Sequence, residues 1–429
     1  MDDLIDNDIR HGFALPLPIE TYKEFKNASI APLGCQEQET INAQGERVPK
    51  YHMTHDQTFP GPSGKWVNLR VIKEDLPPCL YSLVLSRIHH AIVDVRRRHP
   101  KTKIFLCKFD IDSAYRWCHL SGNTAVECLT VYKNMLLLAL RLTFGGSPCP
   151  SIWGLISETI TDICNALTTN KHWDHNKLYD SLSDHLGNTS TLPDDTPFHP
   201  AKDMAVNLTP NDIGLSYIYI DDNIGVAPDI GSNASWVNWA IVLAINSVAR
   251  PLDDSDPIPR NTIISQKKLL AEGRMEECKV VLGWLINTRS LLISLPTDKH
   301  VKWSFQINTR STSKRVQMKQ LEVLIGRLNN LGSIIPVLRH FLSRLWGALS
   351  RSSKSGWTCL SLFEKSDLHF MQKFLDKCKE GISINNIIYR KPTHIYRSDA
   401  SEFGIGGYNL ISGQAWHFKS PLIADYGLH

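Results

Sequence analysis

Phe109-Asp110-Ile111-Asp112-Ser113-Ala114-Tyr115 and Tyr219-Ile220-Asp221-Asp222 carry the strongest signals in this chain. The first closes a short apolar run, Ile104 to Phe109, which reads as a buried strand. A carboxylate at the end of such a strand is costly unless it is solvated, paired or bound to a cation. If the strand continues, period-two alternation puts Asp110 and Asp112 on one face. The plainer alternative is an Asp that caps the next helix. The second stretch sits within Ser216 to Ala227, apolar on both sides of Asp221-Asp222-Asn223, the pattern of strand, tight turn and strand. Adjacent carboxylates at a turn repel each other, and a cation relieves the repulsion; an ordinary Asp-Asp-Asn turn also accounts for these residues. Together the two stretches point to one chemistry. Nucleotidyl transfer uses two metal ions about 4 Å apart, and Mg²⁺ takes hard oxygen ligands of the kind that carboxylates on neighbouring strands supply.

Outward from these stretches the chain is a mixture of strands and helices, which predicts an α+β or mixed α/β fold of modules in series. Residues 1–60 are polar and proline-dotted with few periodic runs, and Phe59-Pro60-Gly61-Pro62-Ser63-Gly64 is turn-rich. The apolar spacing predicts a helix from about Leu80 to Arg98, ended by Arg96-Arg97-Arg98-His99-Pro100. Another helix is expected over 151–168. Residues 169–211, rich in Asp, Asn, Thr, Pro and His, read as an inserted surface segment. A strand pair is expected across Val280 to Leu295 with its turn near Asn287-Thr288-Arg289. From Val316 the chain becomes helical, with Leu321, Leu324, Ile325, Leu328 and Leu331 on one face and a second helix after Pro336.

Composition narrows the class. The 429 residues are 42% hydrophobic and 21% charged, enough for more than one core and too apolar for overall disorder. A net charge of +4 is only mildly basic, so nucleic-acid binding has to come from local patches. Arg96, Arg97, Arg98, Lys101 and Lys103 form one such cluster, which a solvated helix end explains equally simply. The ten cysteines include no C-x-x-C pair and no zinc-type array, so they read as reduced thiols of an intracellular protein. No secretory signal or membrane-spanning run is present.

Six segments, in order, resemble the reverse transcriptases of long-terminal-repeat and DIRS-like retroelements. Phe109 to Tyr115 is similar to their first polymerase motif, and Leu142-Thr143-Phe144-Gly145-Gly146-Ser147-Pro148 to their second. Tyr219 to Asp222 matches the Y-x-D-D box. Val281-Leu282-Gly283-Trp284 resembles the primer-grip strand, and Leu321 to Leu345 the thumb helices. Arg397-Ser398-Asp399-Ala400-Ser401 with Gly404-Ile405-Gly406-Gly407 looks like the start of a ribonuclease H domain.

The resemblance implies a right-hand polymerase with an antiparallel palm sheet. It places an extension at 1–39, fingers at 40–103, and a palm at 104–297 that carries the 169–211 insertion. A thumb at 298–350, a connection at 351–394 and a truncated ribonuclease H-like segment at 395–429 follow. It further implies that Asp110, Asp221 and Asp222, with the Ile111 carbonyl, hold two Mg²⁺ ions, with Mn²⁺ as a substitute. Tyr115 becomes the steric gate against a ribose 2′-OH, and Phe144, Gly145 and Gly146 line the nucleotide pocket. Lys268 becomes the lysine that protonates pyrophosphate, unless it is a surface lysine. The implied partners are an RNA or DNA template–primer and dNTPs, with no membrane.

Three departures stand out. His52, beside Lys50, occupies the place of an arginine that would neutralise the triphosphate, and imidazole cannot make the guanidinium's two-pronged contact. Thr143 replaces a usual proline. In the ribonuclease H-like segment only Asp399 is recognisable, Glu402 and Asp425 lacking a convincing context. These departures keep a rival open, a catalytically decayed, nucleic-acid-binding relic of a retroelement. An RNA-directed RNA polymerase is disfavoured by Tyr115 and by the ribonuclease H-like start.

Overall fold

The computed structural model describes residues 1–60, 66–170, 172–178, 182–186, 188–249, 255–258, 262–351 and 356–419. They divide into two units, one made of Met1–Lys202 and Leu208–Ile387, the other of Asp203–Asn207 and Ile388 onward. The architecture is mixed helix and sheet. Asp425 and part of the turn-rich 59–64 stretch lie outside the described residues.

The N-terminal segment is more ordered than its polar composition suggests. It forms α1 (Asp2–Arg10), β1 (Ala14–Pro18) and β2 (Ile30–Ala31), then a long two-stranded hairpin, β3 (Leu33–Ile41) and β4 (Arg47–His55). Ile5 is buried, and Asp8 pairs at 2.6 Å with Arg116 inside the protein. Both ends of that pair are desolvated, so removing one partner would strand a buried charge. Next come α2 (Val84–Arg98), β5 (Ile104–Asp110), α3 (Gly122–Ala125), β6 (Leu129–Tyr132), β7 (Met135–Ala139) and α4 (Cys149–Thr169). β1, β7, β6 and β2 make a four-stranded sheet in that order.

The central sheet has the order β8-β11-β5-β10-β9, with β8 (Thr189–Ser190), β9 (Leu215–Tyr219), β10 (Asp222–Pro228) and β11 (Met275–Glu276). β5 pairs antiparallel with both β10 and β11, so it lies inside the sheet and is buried along its length. α4 and α5 (Asn233–Val248) pack on the face carrying Phe105, Cys107 and Phe109. Gly225 makes this approach possible: a Cβ there would stand 2.6 Å from Cys107 Sγ and 2.8 Å from Val237 Cγ1. By alternation Lys108 and Asp110 emerge on the opposite face.

After α6 (Gln266–Glu272), strands β12 (Cys278–Val281), β13 (Trp284–Asn287) and β14 (Leu292–Ser294) follow one another as two hairpins rather than the single expected pair. The tight turn falls at Leu282-Gly283, where both residues have positive φ, so Val281 to Trp284 spans a turn and not a continuous strand. α7 (Thr297–Thr312), β15 (Val316–Gln317), α8 (Met318–Leu331), a 3-10 turn from Pro336, α9 (Ser343–Ser350), β16 (Trp357–Thr358) and α10 (Leu362–Glu380) complete a helical layer, and β17 (Ile382–Ser383) pairs with β14. All five leucine and isoleucine positions read from the α8 periodicity are buried. α10 packs against α7, so the helical layer runs past the 350 boundary inferred from sequence.

The 169–211 segment is not merely superficial. It contributes β8 to the central sheet, and Phe198 lies against the guanidinium groups of Arg96 and Arg289 at 4.9 and 4.4 Å. The basic end of α2 is likewise engaged within the protein. Arg96 donates to the carbonyls of Pro100, Thr102 and Thr288, Arg98 pairs with Asp94 and Asp212, and Lys103 pairs with Asp194.

The second unit is a three-stranded antiparallel sheet, β18 (Tyr396–Ser401), β19 (Gly404–Asn409) and β20 (Ala415–Lys419), where the sequence suggested a single strand pair. It starts at Ile388, ahead of the expected 395 boundary. Among the described residues no helix is long and apolar enough to cross a membrane.

Candidate active site

The β5–β10 register sets Asp222 directly opposite Asp110. Tyr219 also pairs with Asp222, across β9 and β10, so the hairpin tip is the two-residue turn Ile220-Asp221. The turn thus begins earlier than the Asp221-Asp222-Asn223 reading placed it, and Asp222 is already a strand residue. The backbone N–H of Ile111 donates to the Asp221 carbonyl at 2.7 Å, which ties the tip to the end of β5. Two chain segments remote in sequence therefore deliver three carboxylates to one edge of the central sheet.

Electrostatics at this edge are strained by design of the register. Asp110 is 4% exposed, and burial, reinforced by the nearby Asp221, pushes its carboxyl up to about 6 despite an ion pair with Lys268. Asp222 is raised in the same way, by burial first and then by Asp221 and Asp110. It is held by Lys108 at 3.2 Å, which also binds Glu272 at 2.8 Å. Burial acts against the Lys268 charge, yet the surrounding carboxylates raise its pKa overall. Carboxylates this close and this poorly hydrated favour added positive charge.

In front of Asp110 lies a cleft of about 400 Å³ whose walls include Ile111, Asp112, Tyr115, Phe144, Ile220, Asp221, Lys268, Lys50 and His52. Tyr115 is 8% exposed and lies 5.1 Å from Phe144, ring to ring; His52 also meets Phe144, at 5.8 Å. Burial, followed by Lys50 and Lys268, lowers the His52 pKa and so disfavours the charged ring. The structure therefore gathers Asp110, Ile111, Tyr115, Phe144, His52, Lys268 and Asp221 around one space, with Asp222 immediately behind.

Gly145 and Gly146 are not among the cleft-lining residues. Gly145, at φ +122°, packs so closely on β4 that a Cβ would fall 1.8 Å from the His55 carbonyl oxygen; a Cβ on Gly146 would meet Cys149 Sγ at 2.6 Å. Gly145 thus serves the junction between the loop and β4, next to Phe144 in the cleft wall. Thr143 takes part in the same junction by accepting a 2.7 Å hydrogen bond from Gln57. Asp399 lies exposed on β18 of the second unit, where its carboxylate accepts the N–H of Ala400.

Two participants escaped the sequence reading. Lys108 stands two residues before Asp110, and the period of a strand alone puts it on the same face. Trp153 donates from α4 to the Ile220 carbonyl at 2.6 Å, a contact with no local signature.

No protein-family model matches the chain, and no curated protein matches it. Solved structures similar to it include foamy viral protease-reverse transcriptase in three forms. The dRH form, in complex with double-stranded DNA, has a TM-score of 0.49 at 12% identity, over 97% of this chain and 55% of that one. The complex with an RNA/DNA hybrid has a TM-score of 0.48 at 13% identity, over 98% and 42%. A further complex with double-stranded DNA has 0.46 at 12% identity, over 98% and 65%. The chain thus spans between 42 and 65% of the length of these proteins. At this level of likeness the site's own geometry has to carry the function.

Proposed function

We propose that the chain is the polymerase part of a retroelement reverse transcriptase, extending a primer with dNTPs on an RNA or DNA template. The observation that carries this reading is the β5–β10 register, which sets Asp110 against Asp222 and brings Asp221 to the mouth of a cleft walled by Tyr115, Phe144, His52 and Lys268. On this reading the central sheet is the palm, the β3–β4 hairpin belongs to the fingers, and helices α7 to α9 form the thumb.

The donor set suits magnesium. Asp110 and Asp221 would hold two Mg²⁺ ions with Asp222 and the Ile111 carbonyl alongside, and the ions when bound would activate the attacking 3′-oxygen and stabilise the leaving oxygen. Among the described residues no three His, Cys, Asp or Glu side chains form a self-sufficient metal cage. Tyr115, backed by Phe144, fills space beside the sugar and so favours a 2′-deoxyribose. Lys50, His52 and Lys268 face the triphosphate, and Lys268 is placed to give a proton to departing pyrophosphate.

Primer extension on poly(rA)/oligo(dT) and on a matched DNA template, with Mg²⁺, tests the reading. Incorporation of dTTP is expected on both. Template–primer binding without incorporation on either would favour a decayed relic, the reading that the lowered His52 pKa supports.

A further inference from the structure

We infer that Trp153 is a positioning residue for Asp221, holding the central peptide of the carboxylate turn through its indole N–H. The inference rests on the polymerase reading. Ile220, the first residue of the turn, has φ +54°, whereas Asp221 is not at positive φ. That is the pattern of a type II′ turn, whose first central position ordinarily belongs to glycine. A β-branched residue there is a true outlier, and the conformation persists only if its surroundings impose it.

The β9–β10 ladder does not impose it, because Tyr219 and Asp222 are the last paired residues and the peptide between Ile220 and Asp221 lies beyond them. The donor that reaches this peptide is Trp153, 1% exposed on α4, whose Nε1–H donates to the Ile220 carbonyl at 2.6 Å. A buried indole N–H needs a partner, and here its partner is the hinge of the turn. If that peptide turned over, the hairpin would become type I′, with Asp221 at positive φ, a conformation that Asp tolerates. The Asp221 side chain would then leave its direction relative to Asp110. With the Asp221 carbonyl held by the Ile111 N–H at 2.7 Å, Asp221 is fixed on one side by α4 and on the other by β5.

Trp153→Phe keeps an aromatic ring in the core and deletes the donor. The expected result is a fall in kcat of at least about tenfold with the KM for dTTP within about twofold. Mn²⁺ titrated calorimetrically into the protein without nucleotide or template should bind at least about threefold more weakly. Thr161→Val, which removes a buried hydroxyl from the same helix, serves as the packing control and should change neither. Since Phe is smaller than Trp, Trp153→3-benzothienylalanine, which keeps the bicyclic shape and replaces N–H by sulfur, repeats the test with packing preserved. Wild-type kcat and Mn²⁺ affinity in this second variant would overturn the inference while leaving the polymerase reading intact. A wild-type protein that extends no primer would overturn the polymerase reading, and the Mn²⁺ isotherms would still decide the assignment of Trp153.

Discussion

At Tyr115 and His52 the site makes opposite demands on a side chain, one for bulk and one for charge. Tyr115 is buried against Phe144 and borders the cleft in front of Asp110. Tyr115→Ala should open that border and lower the ratio of dNTP to rNTP incorporation at least tenfold, about 1.4 kcal/mol. An unchanged ratio would make the tyrosine a packing residue only. Burial and the cations Lys50 and Lys268 disfavour a charge on His52. His52→Arg should therefore lower the KM for dNTP about three- to tenfold, because a fixed guanidinium gives phosphate a charge-assisted, two-pronged contact. A KM already low and indifferent to the change would assign that role to another cation. These residues were legible because each sits in or beside a short motif. Trp153, and the Asp8–Arg116 pair, depend on which surfaces meet after folding, and no local pattern announces them.

Helices were legible where apolar and polar residues alternate at helical spacing. α8 and α2 show their apolar spacing plainly, but α5 escaped notice because it is apolar nearly all round, buried between the sheet and α4, and so lacks a contrasting face. The β3–β4 hairpin escaped for the converse reason: a ribbon exposed on both faces has little alternation to read. α2 also carries a property that can be measured. His89 is 3% exposed on its inner face, and burial, with a smaller contribution from His90, depresses its pKa to about 3. A histidine depressed in the folded state binds its proton better when unfolded, so stability is full above pH 6.5 and declines as pH falls toward the folded value. Between pH 7 and pH 5 the loss from this one group is about 2 kcal/mol. Urea midpoints should thus show the wild type losing about 2 kcal/mol more than His89→Leu over that interval; equal losses would contradict the burial assigned to this ring.

Across the whole molecule the two units carry unequal chemistry. The sequence of the second unit suggested the start of a ribonuclease H, yet Asp399, the one carboxylate recognisable in that resemblance, lies exposed on β18. A two-metal nuclease needs several carboxylates around both ions. A labelled RNA/DNA hybrid with Mg²⁺ or Mn²⁺ should therefore remain intact, and cleavage that disappears in Asp399→Asn would show otherwise. The carboxylates proposed for nucleotidyl transfer lie in the first unit, where the sheet order was beyond the reach of sequence: the two motifs are far apart in the chain, and only the antiparallel pairing of β5 with β10 brings them together. The most direct test of that site is primer extension by Asp110→Asn and Asp221→Asn beside the wild type, with circular dichroism to follow folding. Each substitution removes charge from a position proposed to hold an ion without removing volume from the core. Both should keep the wild-type fold and lose extension at least a thousandfold, about 4 kcal/mol in the barrier, with Asp222→Asn losing less. Wild-type extension by either the Asp110 or the Asp221 variant would contradict the assignment of these carboxylates to nucleotidyl transfer.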